Sequence, residues 1–592
     1  MIDRRIASAQ ILSRRRARLV ARDVRGWLRS SEAFFIVLAI VVGGIAGLLS
    51  IIQGALARTL QHLLFALPPE TRLSGVAELG LASLIVLPVG GLVLATFGYA
   101  TQARKRRLVD AVEANALHGG RMSLPDSLVI SGQTIISNGF GASVGLEAAY
   151  AQMGGAVASV LGTRLKLRRA DQRTLVGAGT GAAIAAAFGA PLAGAFYAFE
   201  IVIGAYTPSA IAAVAAAALA GALVAQTFGV QPYLIEAASN LAVESHHYLV
   251  YAALGAICGL LGIALMRTVA LVERGSRRTG VPDWCRPAIG GGLLIPVAMV
   301  SPQVLSAGHG ALHADLAVGA SLGFILLVLF AKSAASIVSL GFGFRGGLFF
   351  ASLFLGTLIG HLFAAGLSMM VGHPVVDPRN AALVGMAAFA VAVVGGPMTM
   401  AMLVLQATHD FPLTGAVIAA SLVSSTLVRE LFGYSFSTWR LHLRGETIKS
   451  ARDVGWVRTL TAAGMMRKDA RATPASMSIA EFRCAFPLGS TSRAVLVDAD
   501  GTYAGIAVVP SAYADGLDPA APVATLASNR EAALGPDMDI GAVMASFDEA
   551  RTDELAVLDN DRHVLGIVSE SYVRRRYAEE LEKAQRELFG ER

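Results

Sequence analysis

Two glycine-rich stretches, far apart along the chain, nearly repeat one another. Residues 139–149 read GFGASVGLEAA and residues 341–351 read GFGFRGGLFFA, and Glu147 in the first stretch aligns with Phe349 in the second. The same alignment pairs Gly154 with Gly356. Further downstream, Gly179 matches Gly385, and residues 189–191 match residues 395–397. In membrane proteins, glycine-interrupted apolar segments at corresponding places in two halves of a chain indicate a transport site between the halves.

Composition places this repeat in a membrane. Mean hydropathy is +0.59, 54% of residues are hydrophobic and 15% are charged. Several apolar segments reach the roughly 20 residues that a membrane-spanning helix needs: Glu32–Ile52, Leu79–Tyr99, Ser209–Phe228, Val250–Met266 and Ala317–Leu340. Shorter segments are cut by glycine or proline, and broken helices at membrane depth must be buried in protein or line a cavity. We therefore expect a multi-pass transmembrane domain over residues 31–445.

The charged residues and cysteines predict the orientation of the N-terminus and argue against nucleic-acid binding, disulfides and a metal site. Residues 1–30 form an arginine-rich arm without an apolar signal core, which predicts a cytoplasmic N-terminus and no signal peptide. Basic loops beside the spans account for the net charge of +7, so no nucleic-acid partner is expected. The three cysteines are scattered and lack the spacing of metal ligands, so they predict neither disulfides nor a metal site. We expect no cofactor and no enzymatic activity.

A second repeat follows in the polar region after about residue 445. Residues 496–500 (LVDAD) and 557–561 (VLDND) each precede a Gly-Ile pair, and each reads as a strand, a turn and a second strand. Helical patterns lie between them. We therefore predict a cytoplasmic α/β domain over 446–592, with units at about 456–515 and 521–580.

The tandem units resemble a pair of CBS modules, which are regulatory domains that often bind adenine nucleotides. This resemblance implies that Ser569 contacts the ribose of a nucleotide. However, Tyr572 stands where the nucleotide-binding modules carry an aspartate. A purely structural role in dimerisation is the alternative interpretation.

The broken apolar segments of the membrane part are suited to binding an anion. A helix that begins inside the membrane presents free backbone N–H groups and a positive dipole end, which suit an anion. Glycines such as Gly145, Gly346 and Gly347 allow the backbone to approach a small ligand closely. Close helix packing is the alternative role of such glycines, but their repetition with the same spacing favours an anion site where two helix starts converge.

Both glycine-rich stretches resemble motifs of the CLC chloride channel and transporter family. Gly145-Leu146-Glu147 resembles the family's Gly-Arg/Lys-Glu-Gly-Pro motif, and residues 346–351 resemble its Gly-Gly-x-Phe-x-Pro motif. The resemblance implies an all-α homodimer with one pore per subunit, each subunit built from two inverted halves at about 31–230 and 246–445. It further implies that chloride or another small anion contacts the backbone of a set of five residues: Gly145, Leu146, Gly347, Leu348 and Phe349.

In this alignment Glu147 falls on the family's gating glutamate. A carboxylate within the membrane is costly unless it has a function. Its anionic form is attracted by the same N–H groups that bind an anion, so it competes with chloride, and protonation would release it. Opening should therefore favour acid. A carboxylate that only caps a helix start is the alternative.

Three positions depart from the family pattern. Ile201 falls where proton-coupled exchangers carry a second glutamate, which favours a passive channel; Glu200 beside it remains a candidate for a proton pathway. Arg106 and Ser437 fall on the family's central serine and tyrosine. Arg106 either adds positive charge to the anion pathway or is a loop charge that follows the positive-inside rule.

Three functions therefore stay open at this stage: a passive anion channel, which we favour, a proton-coupled anion antiporter, and a non-conducting membrane sensor that uses the CBS pair. The alanine-, glycine- and arginine-rich composition favours a bacterial inner membrane with both termini in the cytoplasm.

Overall fold

The computed structural model of the protein describes residues 31–68, 71–102, 108–230, 243–311, 321–442, 460–468 and 472–589. Its internal contacts divide the chain into two units, Met1–Asp453 and Val454–Arg592. Composition alone placed this boundary near residue 445. The first unit is helical throughout its described part, whereas the second unit contains all six described strands.

Apolar helices build the first unit. Seven of the described helical stretches are long and apolar enough to cross a membrane. The chain is therefore an integral, multi-pass membrane protein, as its composition predicted. The helices are Glu32–Phe65, Leu81–Leu84, Val86–Gln102, Ala111–Leu117, Leu124–Gly139, Glu147–Arg164, Arg169–Phe188, Pro191–Tyr197, Pro208–Thr227, His247–Arg278, Arg286–Val300, Leu322–Gly341, Phe349–Val371, Pro378–Val394, Pro397–Thr408, Phe411–Leu431 and Phe436–His442.

Pairs of glycines mark where helices of each half cross. The helix Glu147–Arg164 (the Glu147 helix) packs against Arg169–Phe188, and Phe349–Val371 (the Phe349 helix) packs against Pro378–Val394. At the first crossing Gly154 lies against Gly179, and at the second Gly356 lies against Gly385. A Cβ atom on any of the four would collide with the backbone carbonyl of its partner glycine. Small residues let membrane helices approach this closely, which explains why the repeat retains these four positions.

The two halves also exchange hydrogen bonds symmetrically. The backbone N–H of Ser143 donates to Ser339 Oγ at 2.9 Å, and that of Arg345 donates to Ser137 Oγ at 3.0 Å. Ser137 and Ser339 are equivalent in the repeat, as are Ser143 and Arg345. Each half therefore orients the segment that leads into the other half's broken helix. The predicted all-α membrane unit, with repeated halves and broken helices, is confirmed.

The second unit contains two small α/β modules. In the first, β1 (Ala472–Pro474) pairs in parallel with β2 (Arg493–Val497), which pairs antiparallel with β3 (Tyr503–Val508), and β3 pairs with β4 (Ala527–Ser528). In the second, β5 (Glu554–Leu558) pairs antiparallel with β6 (Val564–Ser569). The helices are Ala462–Met465, Ile479–Ala485, Ile540–Ala550 and Glu570–Phe589.

Both hairpins carry the same irregularity. The register shifts between Leu496 and Val497 in β2 and between Val557 and Leu558 in β5. These are corresponding positions of the repeat, because each shift lies just before an Asp-rich turn. The prediction of two tandem α/β units after the membrane part is confirmed.

Candidate functional site

Gly145 and Gly347 bring the two halves into direct backbone contact. The N–H of Gly145 donates to the carbonyl of Gly347 at 2.9 Å, and the N–H of Gly347 donates back at 3.2 Å. This isolated antiparallel bridge lies immediately before the Glu147 helix and the Phe349 helix. Two helix starts, each with free N–H groups, therefore meet at one place in the membrane unit.

The side chain of Glu147 occupies the space in front of the Phe349 helix. Glu147 is the first residue of its own helix and is 3% exposed. Its Oε1 accepts a hydrogen bond from the backbone N–H of Phe350 at 2.9 Å. Its Oε2 is buried and has no hydrogen-bond partner within the described part of the chain. The carboxylate thus sits where the dipole and N–H groups of the Phe349 helix would hold an anion.

Glycines on both sides leave the space that this carboxylate occupies. A Cβ atom on Gly145 would collide with both carboxylate oxygens, and a Cβ atom on Gly347 would lie 2.7 Å from Oε2. Neither glycine has a positive φ, so the space that they leave explains their presence, not their backbone conformation.

A cavity opens beside Glu147, and its lining contains three of the five residues that sequence predicted to contact the anion. These are Gly347, Leu348 and Phe349. The side chain of Leu146 instead packs with Ala57 and Ile135. The other polar and aromatic side chains that line the cavity are Gln152, Thr180, Tyr197 and Phe436.

Charged side chains line the same cavity at positions that the sequence analysis did not single out for the site. Arg345 and Arg440 supply two guanidinium groups, and Asp110 supplies a carboxylate. Arg345 is held by a hydrogen bond from its Nη1 to Gln133 Oε1 at 3.2 Å. Asp110 caps the helix Ala111–Leu117 by accepting from the N–H of Glu113 at 2.8 Å. The signal for Arg345 was present in the repeat, where a basic residue stands opposite Ser143.

Glu200 lies beside a second cavity and caps a helix of the other half. Its Oε1 accepts from the N–H of Met398 at 3.0 Å, and its Oε2 accepts from the N–H and Oγ1 of Thr399 at 2.8 and 2.6 Å. Ile201 lines the same cavity, together with Arg429 and Tyr434. Both oxygens of Glu200 are therefore engaged at the start of the helix Pro397–Thr408.

Two further predicted site residues lie outside what the structure describes. Arg106 belongs to residues 103–107, which are not among the described residues. Ser437 falls in the helix Phe436–His442, but its side chain is likewise outside the description. Its neighbours Phe436 and Arg440 do line the cavity beside Glu147. In the second unit, Ser569 ends β6 and pairs with Glu554.

One buried cation escaped the sequence analysis. Lys332 lies on the helix Leu322–Gly341 and is 0% exposed. Its Nζ donates to the carbonyls of Val304 and Ser306 at 3.0 and 2.8 Å. A single lysine in an apolar helix gives no periodic signal, so only the folded chain reveals its surroundings.

Comparison with known proteins places these features among anion transport proteins. The family described as voltage gated chloride channel matches residues 90–429. The voltage-gated ClC-type chloride channel ClcB of Escherichia coli O9:H4 is 26% identical over 377 residues, which cover 64% of this chain and 88% of ClcB.

Solved structures share the fold at lower identity. The crystal structure of a slow cyanobacterial Cl⁻/H⁺ antiporter has a TM-score of 0.59 and 21% identity, covering 69% of this chain and 97% of the antiporter. The structure of a eukaryotic CLC transporter has a TM-score of 0.58 and 17% identity, covering 92% of this chain and 98% of the transporter. The second likeness in fold extends beyond the membrane unit.

Proposed function

The chain belongs to the voltage-gated chloride channel family, and on that premise we propose that it carries chloride or a similar small anion across a membrane through a pathway gated by Glu147. One observation supports this proposal above the others. The Glu147 carboxylate accepts the N–H of Phe350, at a helix start contributed by the opposite half of the repeat. The anionic side chain of Glu147 thus occupies a position where backbone N–H groups would bind an anion.

Gating follows from competition for that position. While Glu147 is ionised, the N–H groups and the dipole of the Phe349 helix attract its carboxylate, and the carboxylate excludes chloride. Protonation removes its charge and weakens this attraction, so the side chain leaves and an anion enters. Flux therefore rises as pH falls.

A passive channel is the mode that we favour. A proton-coupled exchanger needs a group that accepts a proton on the far side of the gate and releases it in each cycle. Glu200 is the one carboxylate among the described residues that line the second cavity, and three hydrogen bonds hold it as a helix cap. Ile201 beside it cannot carry a proton.

A proton-coupled antiporter is the second candidate function. The solved protein with the same fold and a TM-score of 0.59 is a Cl⁻/H⁺ antiporter by name, whereas the relative from Escherichia coli is a channel by name. In an antiporter, Glu200 or bound water would have to take the place of the missing glutamate at position 201.

The remaining features of the assembly are also part of the proposal. We infer a homodimer in a bacterial inner membrane, with both termini in the cytoplasm because of the basic N-terminal arm. The second unit regulates or dimerises the protein, and adenine nucleotide is the ligand to test there. No enzymatic step is proposed.

Chloride efflux from proteoliposomes tests the proposal. Valinomycin clamps the voltage, external pH is recorded, and efflux is started at neutral and at acid pH. A channel releases chloride without proton uptake, and an antiporter releases it with proton uptake. If neither the wild-type protein nor Glu147→Ala moves chloride at either pH, the conducting function is wrong and the non-conducting sensor takes its place.

A further inference from the structure

Lys332 is an isolated cation in the interior of the membrane unit. It is 0% exposed, and its Nζ donates to two backbone carbonyls, those of Val304 and Ser306. Carbonyl dipoles partly replace the lost hydration, but they do not neutralise the charge. A buried ammonium without a counter-ion is expensive, so an ionisable residue inside a membrane is by default a functional one with a partner.

Among the residues that the structure describes, the surroundings of Lys332 offer one suitable partner. Its helix packs against His247–Arg278, Arg286–Val300, the Phe349 helix and the turn Pro302–Val304. The acidic and basic residues and histidines of these elements are His247, Arg267, Glu273, Arg274, Arg277, Arg278, Arg286 and His361. Glu273 is paired with Arg277 at 2.7 Å. Among the described residues, the charge that acts on Lys332 is that of Glu147, and Lys332 acts on Glu147 in return.

A chain of hydrogen bonds fixes Lys332 to the segment that presents Glu147. Ser306, whose carbonyl receives Lys332, accepts at its Oγ from Gln61 and from Asn138 at 3.1 and 3.0 Å. Asn138 Nδ2 also donates to the carbonyl of Val144 at 2.7 Å. Val144 lies three residues before Glu147. Hydrogen bonds therefore connect the ammonium to the segment that presents the gate.

The helix that carries Lys332 makes a second connection to the same segment. Ser336 is one helical turn beyond Lys332, and its Oγ lies 3.0 Å from Ser143 Oγ. Ser339, on the same face, accepts the N–H of Ser143. The face of the helix that bears Lys332 is thus the face that packs against residues 143–147.

We propose that Lys332 is the fixed counter-charge of the Glu147 gate. In the closed state the ammonium and the carboxylate balance one another inside the protein. When the carboxylate is protonated, the ammonium loses its counter-ion, and an incoming chloride restores the balance. Lys332 therefore makes opening require a lower pH, and it favours anion occupancy once the gate is open. This inference rests on the proposed gating function and adds a positioning residue to it.

Other ionisable groups surround the gate and contribute to the absolute pH response. Tyr150, Tyr197, Asp110, Arg345 and Arg440 surround the gate or line its cavity. The ring centroid of His309 lies 3.4 Å from that of Phe350, with the two ring planes tilted by 33°. These groups are present in the wild-type protein and in every variant compared below. A difference between variants therefore isolates the contribution of Lys332.

The test compares Lys332→Met with the wild-type full-length protein in proteoliposomes. Chloride efflux is measured from acid to neutral pH, and Ser333→Ala on the same helix is the control that removes a local hydrogen bond but no charge. We expect Lys332→Met to raise the pH of half-maximal flux by about one unit, a tenfold change in apparent proton affinity. In the Glu147→Gln background, which has no titrating gate, Lys332→Met should leave the flat pH profile flat. A midpoint identical to the wild-type value overturns the proposal.

Folding of the variants provides a second test that does not depend on conduction. Removing one member of a buried charge pair is more damaging than removing both. If Lys332→Met gives no folded protein, the double variant Glu147→Gln/Lys332→Met should recover a monodisperse, cooperatively melting protein. If the double variant does not fold although Glu147→Gln alone does, the proposal is overturned. Absence of chloride flux from the wild-type protein would instead contradict the conducting function, and the melting temperatures of the four proteins would still measure the coupling.

Discussion

Replacing Gly347 by alanine should open the gate without altering Glu147 itself. The new Cβ atom would lie 2.7 Å from Glu147 Oε2, and its next contacts, at 3.7 and 3.8 Å, are ordinary ones. Ordinary contact begins at 3.4 Å, so the flexible carboxylate must retreat by about 0.7 Å. Where the whole carboxylate retreats from the helix start, Oε1 moves with Oε2, and the 2.9 Å bond from Phe350 N–H to Oε1 lengthens to about 3.6 Å, which is no longer a hydrogen bond.

The size of the effect follows from that lost bond. A hydrogen bond to a charged group contributes about 1.5–3 kcal/mol. Its loss in the closed state shifts the balance between closed and open gates by about tenfold to 150-fold. Gly347→Ala should therefore raise chloride flux at neutral pH and move the midpoint of the flux-against-pH curve upward by about one to two units.

Proteoliposome efflux across a pH series measures this shift. Gly323→Ala is the matched control, because no atom lies within 4 Å of the Cβ position at Gly323. A methyl group that blocks the pathway, instead of displacing the carboxylate, would reduce flux equally in the Glu147→Ala background. That result, or a midpoint identical to the wild-type value, would refute the reasoning.

Three further variants test other parts of the structure. Glu200→Ala leaves two backbone N–H groups and a hydroxyl without their hydrogen-bond acceptor. It should lower the free energy of unfolding by about 2–4 kcal/mol, measured as a lower melting temperature, while chloride release stays free of proton uptake. Gly385→Val collides with the backbone of Gly356 and should abolish the monodisperse peak in size-exclusion chromatography, whereas Gly323→Val should retain it. Arg345→Gln should raise the chloride concentration for half-maximal flux by about tenfold, ~1.4 kcal/mol, and an equal rise in Arg345→Lys would contradict an electrostatic role.

Much of the fold can be predicted from the sequence, because the fold requires particular residue types at repeated positions. Apolar length alone predicts the spans. Backbones that touch at Gly154 and Gly179 leave room for no other residue, and the same holds for Gly356 and Gly385, so the four glycines remain visible in the alignment of the halves. The meeting of two helix starts at one site follows from that alignment together with inverted topology.

The partners of individual charges could not be predicted in this way. Glu200 was a candidate for a proton pathway, and nothing in its neighbourhood in sequence indicates that Met398 and Thr399 supply its hydrogen bonds. Lys332 stands alone in an apolar helix, where any lysine gives the same pattern. Contacts between residues so far apart along the chain have no periodicity, and they appear only once the helices are packed.

The paired backbone of Gly145 and Gly347 has a consequence for biosynthesis. Glu147 leaves the ribosome long before the residues that receive it, because Gly347 and Phe350 belong to the other half of the chain. A nascent chain that ends before Phe350 holds only one of the two helix starts and has no complete ion pathway. A partly inserted or prematurely truncated protein therefore lacks the paired anion site, which forms only when the second half has joined the first.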